Sequence, residues 1–161
     1  MPTLTATNSL STKLATIEPH IGNTPLLRIE GFHDNENVQI FAKLEWKQLS
    51  GSVKARAAYN IIKNAIDAIG EKGGTITIKT FNSENNKLIC SIVDNGDGMD
   101  EHLFKDIFKP FFTTKQTGKG IGLGLYIVYE IIRDHGGNIE VKSKKGEGTD
   151  FSFTLQTGSM P

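Results

Sequence analysis

The stretch from Asp94 to Leu125, DNGDGMDEHLFKDIFKPFFTTKQTGKGIGLGL, limits this chain more than any other. It opens where the apolar run LICSIV delivers Asp94 into a turn containing Gly96 and Gly98. It closes on Gly118, Gly120, Gly122 and Gly124, every second residue, leading into a further apolar run. A carboxylate leaving a strand can accept a hydrogen bond from an exocyclic amine, and glycines beside it let the backbone lie against a flat ring. The second cluster brings side-chain-free backbone to a helix start, where unpaired N–H groups can face phosphate oxygens. A nucleotide suits both ends. Asp, Asn and Gly are also the commonest turn residues, so the first cluster alone reads equally well as a plain strand-to-loop turn. Two familiar phosphate loops are excluded. No GxxxxGK[ST] occurs, and the glycines follow a loop, whereas a dinucleotide-binding GxGxxG follows a strand.

The pattern around this stretch predicts a scaffold. Residues 1–17, rich in Thr, Ser and Asn, read as a loose arm or a short helix, and EPHIGNTPLLRIEGF as a turn followed by a strand-like run. NVQIFAKLEW, residues 37–46, alternates in the manner of a half-buried strand. Val53–Ile69 has helical periodicity, with Ala58, Ile61, Ile62, Ala65, Ile66 and Ile69 on one face, Ser52 as N-cap and Gly70 ending it. TITIKTF and KLICSIVD form a hairpin around NSENN, and EHLFKDIF a short helix. IGLGLYIVYEIIRDHGG is a long amphipathic helix ending at Gly136 and Gly137, and NIEVKSKK and TDFSFTLQ are two more strands. This order predicts a two-layer α/β sandwich, a mixed sheet with helices on one face.

Composition narrows the partners. The 161 residues suffice for one compact domain with an attached segment, and 18 basic against 18 acidic residues give no field for nucleic acid or an anionic membrane. No apolar run reaches the roughly 18 residues of a membrane span, and the start MPTLTATNSLSTK has no signal-peptide core, so the cytoplasm is expected. The single Cys90 reads as a buried thiol in a reducing compartment, and the four histidines show no metal-ligand spacing. Asn60 and Asn64, four apart, share a helix face, and an amide oxygen can complete the coordination of a phosphate-bound Mg²⁺.

The set NIIKNAIDAI, DNGDGM, IFKPFFTTK, GKGIGLGL and GEGTDFSF, in this order, resembles the ATP-binding domain of sensor histidine kinases, within the GHKL ATPases. IFKPFFTTK with HGGNIEVKSKKGEGTDFSF is most similar to the nitrogen-regulation branch, and the likeness covers about residues 60–156. The resemblance implies ATP and Mg²⁺ as ligands. Asn64 would bind the metal, with Asn60 and Asp67 on the same helix face. Asp94 would receive the adenine amine, with Gly96, Gly98, Met99 and Thr149 around the base. Phe108, Phe111 and Phe112 would anchor a lid carrying Thr114 and Lys115, the latter reaching phosphate. Gly118, Gly120, Ile121, Gly122, Leu123, Gly124 and Leu125 would shape the phosphate end. Ile121 departs from the family, which usually has Thr there. Relatives that hydrolyse ATP carry a Glu as general base where this chain has Asn60, which takes no proton at neutral pH. Phosphoryl transfer to a protein nucleophile is therefore expected, with slow hydrolysis.

Residues 17–63 carry a different likeness. IGNTPLLRIEG and IFAKLEWKQLSGSVKARAAYNIIK resemble the start of a pyridoxal-phosphate enzyme of the cysteine synthase type, whose Schiff-base lysine would be Lys54. Ala55 stands where that family has Asp, and its phosphate cup does not follow, so pyridoxal phosphate is not the expected cofactor. HIGNTPL shares some spacing with the kinase acceptor motif, but Gly22 and Pro25 oppose a helix around His20. The acceptor histidine domain is expected in trans, and the chain itself as a monomer. The expected division is an arm over 1–36, an ATP-binding domain over 37–157 whose first strand is grafted, and a tail over 158–161. A chimera joined in YNIIKNAIDAI accounts for both likenesses, and the alternatives are a pyridoxal-phosphate enzyme fragment or an inactive folding chimera.

Overall fold

The computed structural model describes residues 3–6, 15–29, 40–44, 47, 52–83, 87–115 and 120–156. Its strands are β1 (Thr3–Ala6), β2 (Leu26–Ile29), β3 (Ile40–Lys43), β4 (Gly74–Ser83), β5 (Lys87–Asp94), β6 (Ile139–Lys144) and β7 (Gly148–Gln156). The helices are α1 (Lys54–Ile69) and α2 (Gly124–Asp134). Five strands form one sheet in the order β1-β4-β5-β7-β6, and β2 pairs with β3 in a separate ribbon. Both helices pack on the large sheet and on each other, which makes the predicted two-layer α/β sandwich.

One detail of the expected sheet is corrected. Instead of a mixed sheet, every pairing among the described residues is antiparallel. The reason is topological. β5 and β6 do run the same way, but β7 lies between them and opposes both. The crossover through α2 therefore produces no parallel neighbours.

The apolar periodicity of α1 becomes a buried stripe of Ala57, Ile61, Ala65 and Ile69, with Ile62 and Ile66 partly buried beside it. Ala58, placed on that face by the sequence pattern, is only half-buried, while Ala57 and Tyr59 are buried. Ser52 supports the helix start from two positions away, its Oγ accepting the Lys54 N–H at 3.3 Å. Gly70 ends the helix at φ 62°. From α2 come Val128, Ile131 and Ile132, and from the sheet Ile76, Ile92, Ile139, Phe151 and Phe153. Ile61, Ile76 and Val128 are fully buried, each contributing about 1.5–3 kcal/mol by leaving water. EHLFKDIF begins with a single 3₁₀ turn, Glu101–Leu103, and continues as turns rather than as a regular helix. Cys90 is half-buried, and burial pushes its thiol pKa up.

The N-terminal third departs most from expectation. The strand read over 37–46 is described at Ile40–Lys43, but it pairs with Leu26–Ile29 and does not enter the large sheet as a grafted first strand. The edge of β4 is instead covered by Thr3–Ala6, at the start of the stretch expected to be a loose arm or a short helix, while residues 15–17 at its end are helical. Threonines at 3 and 5 suit a strand, and β4 offers an unpaired edge, so pairing overrides a weak local preference. The exposed ion pair of Lys63 Nζ with Glu18 Oε1 at 2.7 Å ties the turn Glu18–His20 to α1. Each partner favours the other's charged form, so the Glu18 carboxyl is held low and the Lys63 ammonium high.

A two-stranded ribbon is marginal without a core of its own, and Leu26, Leu27 and Phe41 are exposed. Amide hydrogen exchange should therefore be faster at residues 41–43 than at 89–93 of the central β5, by at least about a hundredfold. Equal protection would mean that β3 shares the main core.

Candidate functional site

The site is built at the end of the sheet where β5 finishes and β7 begins. Asp94 and Thr149 face each other in register there, both 4 % exposed. Asp94 Oδ1 accepts the Gly96 N–H at 2.9 Å. Burial raises the Asp94 pKa above the usual carboxylate value, and the N–H groups of Gly96 and Thr149 pull it partly back. This carboxylate is therefore desolvated, anchored on one side, and held at a strand end as the sequence predicts.

The loop after Asp94 is pressed between the end of α1 and the β6–β7 turn. Asp97 N–H donates to Ala68 O at 2.9 Å, and Gly146 N–H donates to Asp97 O at 2.7 Å. Gly98 has φ 59°, and a Cβ there would fall 2.1 Å from Lys144 O. A side chain at Gly96 would meet the Ala68 backbone, and one at Gly148 the Asp94 carbonyl. Met99 N–H donates to Ser143 Oγ at 2.9 Å, and Ser143 Oγ donates to Gly148 O at 2.8 Å. With its proton so used, Ser143 Oγ accepts from Thr149 Oγ1 at 3.0 Å. Asp94, Gly96, Gly98, Met99 and Thr149 thus meet at one place.

α1 supplies the second wall. Asn60 Nδ2 donates to Gly124 O at 3.3 Å, which ties α1 to the first residue of α2. One turn on, Asn64 Oδ1 receives Lys115 Nζ at 3.3 Å, and Asp67 Oδ2 receives the same ammonium at 2.5 Å. Asn64 and Asp67, three apart, project from one face. The amide at position 60 matters chemically, because a carboxylate would repel the Gly124 carbonyl that the Asn60 N–H₂ satisfies.

The stretch expected to meet phosphate is described in part. α2 begins at Gly124, with Leu123 as its N-cap residue, three residues after the predicted start. Ile127 N–H donates to Leu123 O at 2.9 Å, so the N–H groups ahead of it have no carbonyl within the helix. Gly122, at φ 72°, packs against the backbone of Phe111 and Phe112, where a Cβ would come within 2.4 Å of the Phe111 carbonyl carbon. The loop's two ends meet there. Phe108 and Phe112 pack against the core, and Phe108 lies 5.7 Å from the Tyr129 ring. Phe111 does not anchor as expected: the residue is 70 % exposed at φ +66°, and it is its backbone, not its ring, that packs, against Gly122. Thr114 and Gly120 are exposed, Ile121 is 76 % exposed, and Leu125 packs against the core. Gly118 lies outside the described residues. Lys54 is exposed in the first turn of α1, and His20 is exposed in its 3₁₀ turn. An open hollow of 220 Å³ beside His20, Asn23, Thr24 and Lys47 shares no residue with the Asp94–Leu125 stretch.

The model for histidine kinase-, DNA gyrase B- and HSP90-like ATPases matches residues 54–159. The chain belongs to this family. Among curated relatives it is 43 % identical over 96 residues to sporulation kinase C of Bacillus subtilis (strain 168), covering 60 % of this chain and 22 % of that kinase. It is 44 % identical over 96 residues to the sensor histidine kinase ZraS of Salmonella typhi, covering 60 % of this chain and 20 % of the relative. The chain thus spans about a fifth of the length of these relatives. Of solved structures, a nucleotide-free form of the catalytic domain of histidine kinase ThkA superposes with a TM-score of 0.57 at 29 % identity, over 98 % of this chain and 97 % of that one. The mycobacterial sensor histidine kinase MprB, at 19 % identity and TM-score 0.58 over 96 % of this chain and 95 % of that one, shares the fold. The domain is the ATPase catalytic type of histidine kinases. A second model, for pyridoxal-phosphate dependent enzymes, matches residues 17–83 and overlaps the first on α1 and β4.

In this ATPase domain, sequence reasoning missed Ser143, which joins Met99, Gly148 and Thr149, and Asn95, whose Oδ1 accepts the Thr75 N–H at 2.7 Å. The available signal was register: Ser143 stands opposite Thr149 once the GEGT turn is closed.

Gly98 and Gly146 separate two costs of replacing glycine. Both have positive φ, 59° and 82°, but a Cβ at Gly146 meets nothing within 4 Å. Gly146→Ala should cost about 1–2 kcal/mol from the left-handed backbone alone. Gly98→Ala should add about 1–3 kcal/mol of overpacking against Lys144 O, read as a lower urea midpoint at constant m. Equal losses would refute the close approach.

Proposed function

We propose that this domain binds Mg·ATP in one pocket running from Asp94 to the start of α2. It is the phosphoryl-donor module for a histidine presented in trans. The observation that carries the reading is Asp94: a buried carboxylate at a strand end, with Gly96 N–H on one oxygen and glycine backbone around it. Such a group accepts an exocyclic amine in the plane of a purine, and Thr149 and Met99 border the same place. The ATP-binding unit is assigned to residues 54–156 together with the edge strand Thr3–Ala6. The expected division into an arm over 1–36 and a domain over 37–157 does not follow the sheets, because Thr3–Ala6 joins the large sheet while Ile40–Lys43 pairs with Leu26–Ile29 outside it. The tail over 158–161 lies outside the described residues.

The donor set on α1 suits a hard cation. Asn64 Oδ1 and Asp67 Oδ2 already converge on one positive charge, the Lys115 ammonium, and oxygen ligands of this kind fit Mg²⁺. Asn64 is the metal-holding residue in this proposal. When bound, Mg²⁺ supplies charge neutralisation on the phosphate oxygens. Lys115 is within reach of the same region, and the N–H groups of the first turn of α2 would be free to meet phosphate as a helix start does. Asn60 acts by positioning: its hydrogen bond to Gly124 O fixes the start of α2 relative to Asn64. Since an amide cannot take a proton from water, hydrolysis is slow and transfer to an imidazole nucleophile is the favoured outcome.

The pyridoxal-phosphate-enzyme likeness is read as ancestry of the segment, with no cofactor at Lys54. α1, which carries that lysine, is committed to the ATPase core through Ile61, Ala65 and Ile69. The overlap of the two family matches on α1 supports a chimera joined within this helix.

Asp94→Asn tests the base pocket. Losing a hydrogen bond to a charged acceptor should weaken Mg·ADP binding by about tenfold or more. Stability should respond in the opposite sense. Because the folded-state pKa of Asp94 is raised, its ionisation costs stability once pH exceeds the unfolded value, and the neutral amide removes that cost. Calorimetry at pH 7 should therefore give an unchanged or higher Tm with weaker nucleotide binding. Wild-type affinity should also fall as pH drops through the raised Asp94 range. Retained affinity in Asp94→Asn would sink the assignment.

A further inference from the structure

The Lys115 contact has a consequence for nucleotide entry. The loop residue Lys115 places its ammonium against Asp67 Oδ2 at 2.5 Å and Asn64 Oδ1 at 3.3 Å. Those oxygens come from one face of α1, and Asn64 is the residue assigned above to the metal. One oxygen set therefore faces two competing cations, and here the protein's own lysine holds it. Position Asp67 contributes the carboxylate that makes the difference. An amide oxygen alone holds an ammonium weakly, whereas a carboxylate at salt-bridge distance adds a charge-assisted bond. The backbone supports the placement independently, since Lys115 N–H donates to Thr113 Oγ1 at 3.1 Å and so turns the chain toward α1. At the other end, Gly122 packs on the Phe111 and Phe112 backbone, which fixes the base of the same loop.

We propose that Asp67 is a positioning residue that latches Lys115 across Asn64 in the nucleotide-free protein. The latch withholds Asn64 from a metal and Lys115 from a phosphate until a polyphosphate draws the lysine away. This rests on the pocket assignment above. Lys115 and Asp67 side chains are 36 % and 42 % exposed, so water and salt weaken the pair. The latch is accordingly a small bias on entry and does not block the site. Its expected size is a two- to fivefold effect on affinity, roughly 0.4–1 kcal/mol, the upper part of what exposed ion pairs contribute. It should vanish at high ionic strength.

The test compares wild type with Asp67→Asn and Lys115→Met in two measurements. In the first, hydrogen exchange at residues 112–115 is followed in nucleotide-free protein. Both variants should lose protection equally, the double variant should lose no more, and about 1 M salt should do the same to wild type. In the second, a fluorescent ADP analogue is titrated in EDTA. Asp67→Asn should bind about two- to fivefold more tightly, because Lys115 is freed to meet phosphate, while Lys115→Met should not. Unchanged protection in Asp67→Asn, or weaker metal-free binding, would overturn the latch. Failure of the wild-type protein to bind the analogue with Mg²⁺ present would instead refute the pocket assignment, while the exchange experiment would still decide whether Asp67 holds Lys115.

Discussion

At Gly98 three pieces of chain come within contact of one another without a side chain between them. The loop leaving β5 lies against Lys144 O on one side, and two residues earlier, at Gly96, against the Ala68 backbone of α1. Hydrogen bonds from Asp97 N–H to Ala68 O and from Gly146 N–H to Asp97 O close this junction. Helix α1, the end of β5 and the β6–β7 turn are held in one geometry by it. Asp94 is buried because this junction covers it, and Asn64 and Asp67 face the same end of the sheet because the last turn of α1 is bonded there. A single Cβ at Gly98 would push apart the elements that define the site.

The polar groups of the site follow from what remains after that packing. Asp94 carries a desolvation cost that its two N–H donors offset only in part, so the fold tolerates a strained acceptor at the place where a ligand amine would relieve it. Ser143, with one proton to give, links Met99, Gly148 and Thr149 into one set of hydrogen bonds beside Asp94. The end of the site on α1 is organised differently. Its contacts are an exposed lysine on an asparagine and an aspartate, and an amide on the first carbonyl of α2. The Asp94 end is thus held by part-buried hydrogen bonds, and the α1 end by an exposed ion pair that can exchange partners.

The helices, the β4–β5 hairpin and the β6–β7 pair were legible in the residues because each depends on local pattern: a 3.6-residue stripe in α1, alternation in the strands, glycine at the stops. The placement of Asp94 at a buried strand end was legible because an apolar run delivers it into a glycine turn, whereas Asn64 and Lys115 were singled out through the family resemblance, and it is the fold that brings the two side chains together. The exposed Phe111 shows the limit of that reasoning. Three phenylalanines in FKPFF look alike in sequence, yet only Phe108 and Phe112 pack on the core, while Phe111 stands exposed at φ +66° and offers its backbone to Gly122. Position 143 was missed because a serine in an alternating strand carries no local signal, and its role exists only through its register opposite Thr149.

The residues by themselves determined the sandwich, the two glycine turns, and the face of α1 that carries Asn60, Asn64 and Asp67, since periodicity and backbone freedom are properties of short segments. Tertiary structure decided which strand covers the edge of β4, where β7 lies relative to β5 and β6, and which oxygens Lys115 meets. Those outcomes depend on pairing between segments far apart in the chain. Thr3–Ala6 reaches an edge that Ile40–Lys43, already paired with Leu26–Ile29, does not. A strand edge accepts whichever extended segment the rest of the packing brings to it, and no local pattern records that choice.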